Sequence, residues 1–140
     1  MLTQLSIIDN QSSILNMAKK SIEEIVKADK RYTVQAVSFV YEGLGYTAKK
    51  LPETTEEKTE PKHVSGQDLA RGLRDLAMER YGRLAITVLN RWGIKTTRDF
   101  GEIVYLMIAH KWMSAQPNDS VDDFNNVYDF KTVFEGQFQF

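Results

Sequence analysis

Apolar residues recur at spacings of three and four along most of this chain, the period of a helix buried on one face. In "SSILNMAKKSIEEIVKAD", Ile14, Leu15, Ala18, Ile22, Ile25 and Val26 fall on one stripe, and Ser12 or Ser13 can cap its start. The spacing predicts a helix over about 13–28. In "TVQAVSFVYEGLGYTAKKL", Val34, Val37, Phe39, Val40 and Tyr41 favour a strand by propensity. A helical stripe of Val34, Val37, Tyr41, Leu44, Ala48 and Leu51 runs on for about five turns, longer than a strand sustains, and predicts a helix. Gly43 and Gly45 each weaken it by about 1 kcal/mol. That cost is expected where a neighbouring helix passes close or where the helix bends.

The next segments are better punctuated. "SGQDLARGLRDLAMERYG" opens on Ser65 with Asp68 three residues on, the acidic variant of a capping box. Leu69, Leu73, Leu76 and Ala77 line its inner face, Arg71, Arg74 and Asp75 lie outside, and Gly82 is a natural stop. "RLAITVLNRWG" predicts a short helix with Leu84, Ala85, Val88, Leu89 and Trp92 inward and Gly93 ending it. In "TTRDFGEIVYLMIAHKWM", Thr96 with Asp99, or Thr97 alone, can cap a helix whose inner face is Phe100, Ile103, Val104, Met107, Ile108 and Trp112. Tyr105 and Leu106 widen that face, so this helix is expected to be central. Ser120 and Asp123 have capping-box spacing and predict one helical turn. The aromatics Phe124, Tyr128, Phe130, Phe134, Phe138 and Phe140 are expected to lie back over the helices, because an exposed aromatic tail invites association, with a strand or a docking segment as the alternatives. "PETTEEKTEPK", residues 52–62, has no large apolar residue and reads as a flexible loop.

The expected fold is therefore all-α: a small orthogonal bundle of about five helices with an irregular aromatic-rich C-terminal segment. The 140 residues suit a single helical domain, 1–140, with an acidic tail over 116–140. There is no Cys, which excludes disulfides and thiolate metal sites and fits a reducing compartment. The N-terminus lacks the pattern of a signal peptide. The longest apolar run, Ile103 to Ala109, is seven residues, against roughly 20 needed to cross a bilayer. A cytoplasmic protein with no membrane contact is the expectation.

Charge changes the picture more than composition does. The net value is −1, yet residues 64–115 carry eight basic and five acidic groups, and 116–140 carry one basic and five acidic. Six of the seven arginines lie between Arg71 and Arg98. Such a distribution suits either a polyanionic partner or two parts of one fold facing each other. The small positive excess favours the second.

Specific chemistry is sparse. His63 and His110 are far apart in sequence and no H-E-x-x-H occurs, so no metal site is expected. A calcium loop beginning at Asp119 would place Phe130 where an acidic ligand is required. "GLG" at 43–45 lacks the context of a dinucleotide motif, and no Walker lysine is present. "GIKTTRDF" has only the second half of a helix-hairpin-helix. His63 stands before a helix start, where backbone N–H groups can attract an anion. His110 follows Glu102 by eight residues, too far for a direct pair. The arginines could grip phosphates or a carboxylate-rich partner, though Asp68, Asp75 and Glu79 stand at helical spacing to neutralise several of them. The candidate binding set is His63, Arg71, Arg74, Arg80, Arg83, Arg91, Asp99 and Glu102, with no catalytic, metal or cofactor assignment.

"HVSGQDLARGLRDLAMERYG", "WGIKTTRDFGEIVYLMI" and "SVDDFNNVYDF", in that order, resemble a family of conserved hypothetical proteins restricted largely to planctomycetes and verrucomicrobia. The likeness extends to "YTVQAVSFVYEGLGYTAKKL" and so covers most of the chain. Its matching positions are His63, Ser65, Gly66, Trp92, Gly93, Asp99, Phe100, Gly101 and Glu102. The resemblance implies a bacterial, cytoplasmic, single-domain protein and carries over no residue roles. The functional expectation is a non-enzymatic module that binds an unknown protein partner through 63–102 or the tail. The alternative is a nucleic-acid- or ribosome-associated protein using the arginines of 71–98. An enzyme built on His63 and Glu102 requires those side chains to meet in a cleft.

Overall fold

A computed structural model describes residues 2–4, 22–51 and 63–135. The first half of the first expected helix (13–21), the 52–62 loop, and Phe138 and Phe140 lie outside the described residues. Within them the chain is a small all-α bundle of five helices, as the periodicity predicts. These are α1 (residues 22–28), α2 (Val34–Lys50), α3 (Gly66–Tyr81), α4 (Ala85–Arg91) and α5 (Thr97–Ala109). One core unites them: Ile22 and Ile25 of α1, Val37, Val40 and Leu44 of α2, Leu69 and Leu73 of α3, Leu89 of α4, and Phe100, Ile103, Val104 and Met107 of α5 are buried together.

The helix starts are capped largely as expected. Ser65 Oγ accepts from Asp68 N at 3.0 Å, and Thr33 Oγ1 accepts from Ala36 N at 3.2 Å. At α5, Asp99 Oδ2 accepts from both Lys95 N (2.8 Å) and Thr96 N (3.1 Å), satisfying two amides ahead of the helix. Helix α2 packs most extensively on α3, and glycines make the approach possible. A Cβ on Gly43 would overlap the Leu73 side chain, and one on Gly72 would overlap Thr47. Gly45 has nothing within 4 Å of such a Cβ, so of the two glycines in α2 only Gly43 serves close packing.

Three expectations are corrected. Leu84, expected inward, is 63% exposed. The chain does not run as one helix from there: Gly82, at φ 50°, opens a 3-10 turn (Gly82–Leu84) that swings Leu84 out before α4 begins. Val34, placed on the inner stripe of α2, is 38% exposed, while Ala36, Phe39 and Val40 are buried; the buried face is turned from the expected one. Helix α5 stops at Ala109 instead of continuing to Trp112. Lys111 takes φ 66°, and Trp112 N reaches back to Met107 O at 2.9 Å, closing the helix without a glycine.

That reversal starts an element the periodicity does not reveal. Met113–Ala115 (β3) pairs antiparallel with Leu2–Gln4 (β1), which pairs antiparallel with His63–Val64 (β2) on its other side. The sheet order is β2-β1-β3, with Leu2 opposite both Val64 and Ala115. These strands are too short to show a period of two, so their pairing was invisible to pattern reading.

The C-terminal third folds back over the helices as expected. Ser120 and Asp123 cap a 3-10 turn, Val121–Phe124. Phe124 is 1% exposed and lies against both Gly66 and Gly101, where a Cβ would come within 3.0 Å of its ring. Buried Thr97 donates Oγ1–H to Phe124 O at 2.6 Å and accepts from Val127 N at 3.2 Å. Tyr128 donates to Ala70 O at 2.6 Å. Phe130 packs on Phe100 (5.7 Å between centroids) and on Phe134 (5.4 Å), and both Phe130 and Phe134 are buried. A one-turn π-helix, Lys131–Glu135, ends the described chain.

Gly72→Ala is expected to lower stability by about 1–3 kcal/mol through overpacking against Thr47. Gly45→Ala should be neutral or stabilising by up to about 1 kcal/mol. Urea unfolding midpoints decide this, and equal midpoints for the two variants would remove close helix approach as the reason for glycine at 72.

Candidate functional site

Most of the arginines singled out by sequence spend their charge within the fold. Arg71 Nη1 lies 3.7 Å from Asp68 Oδ1, and Arg74 Nε lies 3.0 Å from Asp75 Oδ1. The Arg74 guanidinium also sits 5.9 Å above the Tyr128 ring, toward the C-terminal segment. Arg80 Nη2 bonds Glu42 Oε2 at 2.5 Å, joining α3 to α2, and this hydrogen bond holds the guanidinium pKa above its usual value. Arg83 is exposed on the 3-10 turn and Arg91 is exposed at the end of α4. Such exposed pairs contribute about 0–1 kcal/mol each, so their main effect is on surface potential.

Asp99 and Glu102 belong to one polar cluster at the start of α5. Beyond its capping bonds, Asp99 accepts from the Tyr32 hydroxyl through Oδ1 at 2.6 Å, tying the α1–α2 turn to α5. Glu102 Oε1 accepts from Arg98 Nε at 3.2 Å, and its Oε2 lies 3.8 Å from Arg31 Nη2. Arg98 extends further, donating to Asp122 Oδ1 at 2.7 Å and Asn125 Oδ1 at 3.0 Å. These carboxylate bonds, Asp122 first, raise the Arg98 pKa. Arg31 is gripped by Asp29, whose own pKa the Arg31 hydrogen bond lowers. Here the basic middle of the chain meets its acidic tail. Every member has a structural partner, so the cluster is a clasp between elements.

His63 enters the described structure only through its backbone, paired opposite Thr3 in β2. The expected role of its imidazole lies outside the described residues. His110, half-buried at the end of α5, bonds Leu106 O through Nδ1 at 3.0 Å. Glu102 is shared by two guanidinium groups, an arrangement that suits a charge clasp better than a general base. Among the described residues no cluster of three or more His, Asp or Glu side chains could hold a metal ion, and no helix is long and apolar enough to cross a membrane.

The feature that sequence reading missed is a cleft of about 550 Å³ between α4, the start of α5 and the C-terminal segment. Ile86, Thr97, Tyr128 and Phe130 supply its inner wall. Asn90, Lys95 and Thr96 stand along one side, and Asn126, Asp129, Lys131 and Glu135 along the other. It lies in the size range of small-molecule and side-chain pockets, with an apolar interior and a polar rim. Ile86, Asn90, Lys95, Thr96 and Thr97 fall within the 71–98 stretch of candidate arginines. The remaining lining comes from residues 126–135, so the cleft joins positions from 86 to 135, and no local motif announces their meeting. Asp129 is turned toward its own chain: Oδ2 accepts from Thr132 N and Thr132 Oγ1, both at 3.0 Å. The backbone bond from Thr132 is the main cause of its lowered pKa, with the nearby Lys131 charge adding to it.

The architecture defines this protein as a small all-α bundle with an aromatic C-terminal segment laid across it. Compared with protein-family models, curated proteins and solved structures, the chain matches none.

Two tyrosine hydroxyls in this assembly are held neutral. Burial raises the Tyr32 pKa, with the Asp99 hydrogen bond adding to it, and burial raises that of Tyr128. The unfolded chain therefore loses these protons first, so their stabilisation is complete below about pH 10 and is lost as pH rises beyond it. Stability measured by urea unfolding should fall above that pH, and Tyr32→Phe with Tyr128→Phe should flatten the decline. An unchanged alkaline slope in the double variant would remove both residues from this account.

Proposed function

We propose that this chain is a non-enzymatic module that binds another protein, working in the cytoplasm of a bacterium. The supporting observation is the internal neutralisation of its arginines: Arg31, Arg71, Arg74, Arg80 and Arg98 each lie within 4 Å of a carboxylate. Nucleic-acid affinity comes chiefly from cations free to replace counterions along phosphates. Arginines already paired contribute little to that exchange, which counts against the nucleic-acid reading. The cleft, apolar within and polar at its rim, has the character of a surface made for contact with a side chain or short segment. The absence of Cys fits a reducing cytoplasm, and membership in the planctomycete and verrucomicrobial family is part of the same reading.

The reading predicts weak retention of RNA and DNA on filters, with less than a tenfold change in affinity between 50 and 200 mM salt. A phosphate-dominated binder loses roughly 10³–10⁵ over that interval. Arg71→Ala, Arg74→Ala and Arg91→Ala together should leave retention unchanged. A pull-down from native lysate should keep a protein partner after nuclease treatment. A steep salt dependence removed by the triple variant, with no partner surviving nuclease, would replace this reading with the nucleic-acid one.

A further inference from the structure

We propose that the cleft between α4 and the C-terminal segment is covered by this chain's own residues 137–140, with Phe138 as the side chain that enters it. The covered cleft is an autoinhibitory contact, which any partner reaching it must displace. The described chain runs as far as Glu135, and Glu135 itself lines the cleft. The sequence continues as Gly136, Gln137, Phe138, Gln139 and Phe140. Phe138 is three residues beyond Glu135, a reach of up to roughly 10 Å along the chain. A cleft of about 550 Å³ that begins at Glu135 lies within that reach. Gly136, next in sequence, is the residue type that most readily allows a chain to turn back on itself. A tether this short keeps the aromatic side chain at high effective concentration beside the cleft.

Chemical match is the second argument. Lys95 and Lys131 in the lining are balanced by Asp129 and Glu135, so the cleft has no net charge with which to select a charged ligand. Residues 136–140 carry no charged side chain. Beneath the rim, half-buried Ile86 and the Phe130 ring supply an apolar surface, and covering it with an aromatic ring removes both from water. The alternation of Gln137, Phe138, Gln139 and Phe140 has the period of an extended segment with one apolar and one polar face. The side-chain amides of Asn90 and Asn126 at the rim both donate and accept hydrogen bonds, which suits a peptide backbone laid between them. The walls are already firm, so covering them requires no rearrangement: Thr97 is held by Phe124 O and Val127 N, and Tyr128 by Ala70 O.

The test is residue-specific NMR on the full chain. NOEs from the Phe138 ring protons to the Ile86 methyl groups are expected, with intensities independent of protein concentration. Phe138→Ala should abolish them and move the amide signals of Asn90, Lys95 and Lys131, while Phe138→Leu keeps those signals near their wild-type positions. N-acetyl-phenylalanine amide, titrated into both proteins, should bind Phe138→Ala roughly tenfold more tightly than wild type, because self-covering leaves only the open fraction competent. Absence of the Ile86 NOEs in the wild type overturns the proposal without recourse to any variant. NOEs found only between differently labelled copies assign the cleft to a second molecule and overturn it equally. Equal probe affinity, or no probe binding to either protein, overturns the autoinhibitory contact. The interaction-module reading is tested by capture from lysate, and it stands or falls independently of these signals.

Discussion

The hydroxyl of Thr97 is a small group on which much of this structure depends. It is 1% exposed and bonded on both sides, giving its proton to Phe124 O and taking one from Val127 N. A buried hydroxyl left unpaired costs about 1–3 kcal/mol, so the C-terminal segment and the first turn of α5 satisfy each other. The consequence is directional. Residues 124–127 are pinned to α5, Phe124 is seated against Gly66 and Gly101, and the chain beyond must leave α5 at a fixed place. The cleft is the space that opens where it leaves. A Val at 97 would keep the volume and lose both bonds, loosening one wall of the cleft without touching the helical core.

Around that anchor the polar interactions are layered by burial. Thr97 and Thr47 are buried, and Thr47 donates to Gly43 O at 2.7 Å within its own helix. The Tyr32–Asp99 bond is half-buried and joins distant elements. Outermost are the arginine pairs, partly exposed and individually weak. This order explains why the acidic tail and basic middle noticed in the sequence do not form one large electrostatic seam. Arg98 with Asp122 carries a direct ion pair between those two segments, and Phe124, Phe130 and Phe134 join them by packing into the core.

What could be read from sequence divides along the same line. Helices α2, α3 and α5 were legible because their apolar stripes persist for several turns and Ser65 or Asp99 marks the start. The aromatic segment was legible in outcome because aromatics crowded into one short stretch favour burial against the core, as seen for Phe124, Phe130 and Phe134. Leu84 and Trp112 were misplaced for a shared reason: each lies at a helix end where a short turn resets the register, at Gly82 in one case and Lys111 in the other. Lys111 in a left-handed conformation leaves no mark in the sequence, since glycine is the residue that normally announces it. Asp99 and Glu102, expected as binding residues, have capping and pairing contacts within the fold. The cleft was illegible because Ile86, Lys95 and Phe130 share neither a helix nor a motif.

The difference between paired and unpaired cations carries the functional argument further than the count of either. A sequence-level excess of +3 over residues 64–115, eight basic less five acidic, suggests a diffuse basic surface. In the fold, Arg71, Arg74, Arg80 and Arg98 are each brought beside an acidic residue, so much of that excess is matched locally. Lys95 has its backbone N–H tied to Asp99 while its ammonium stands at the rim of an apolar cleft. Lys131 lines the same cleft, together with Asp129 and Glu135, from the segment that Thr97 positions. With two lysines and two carboxylates in its lining, the cleft has no net charge of its own. The same capping and clasping contacts that complete the fold therefore decide which charged residues meet at that rim.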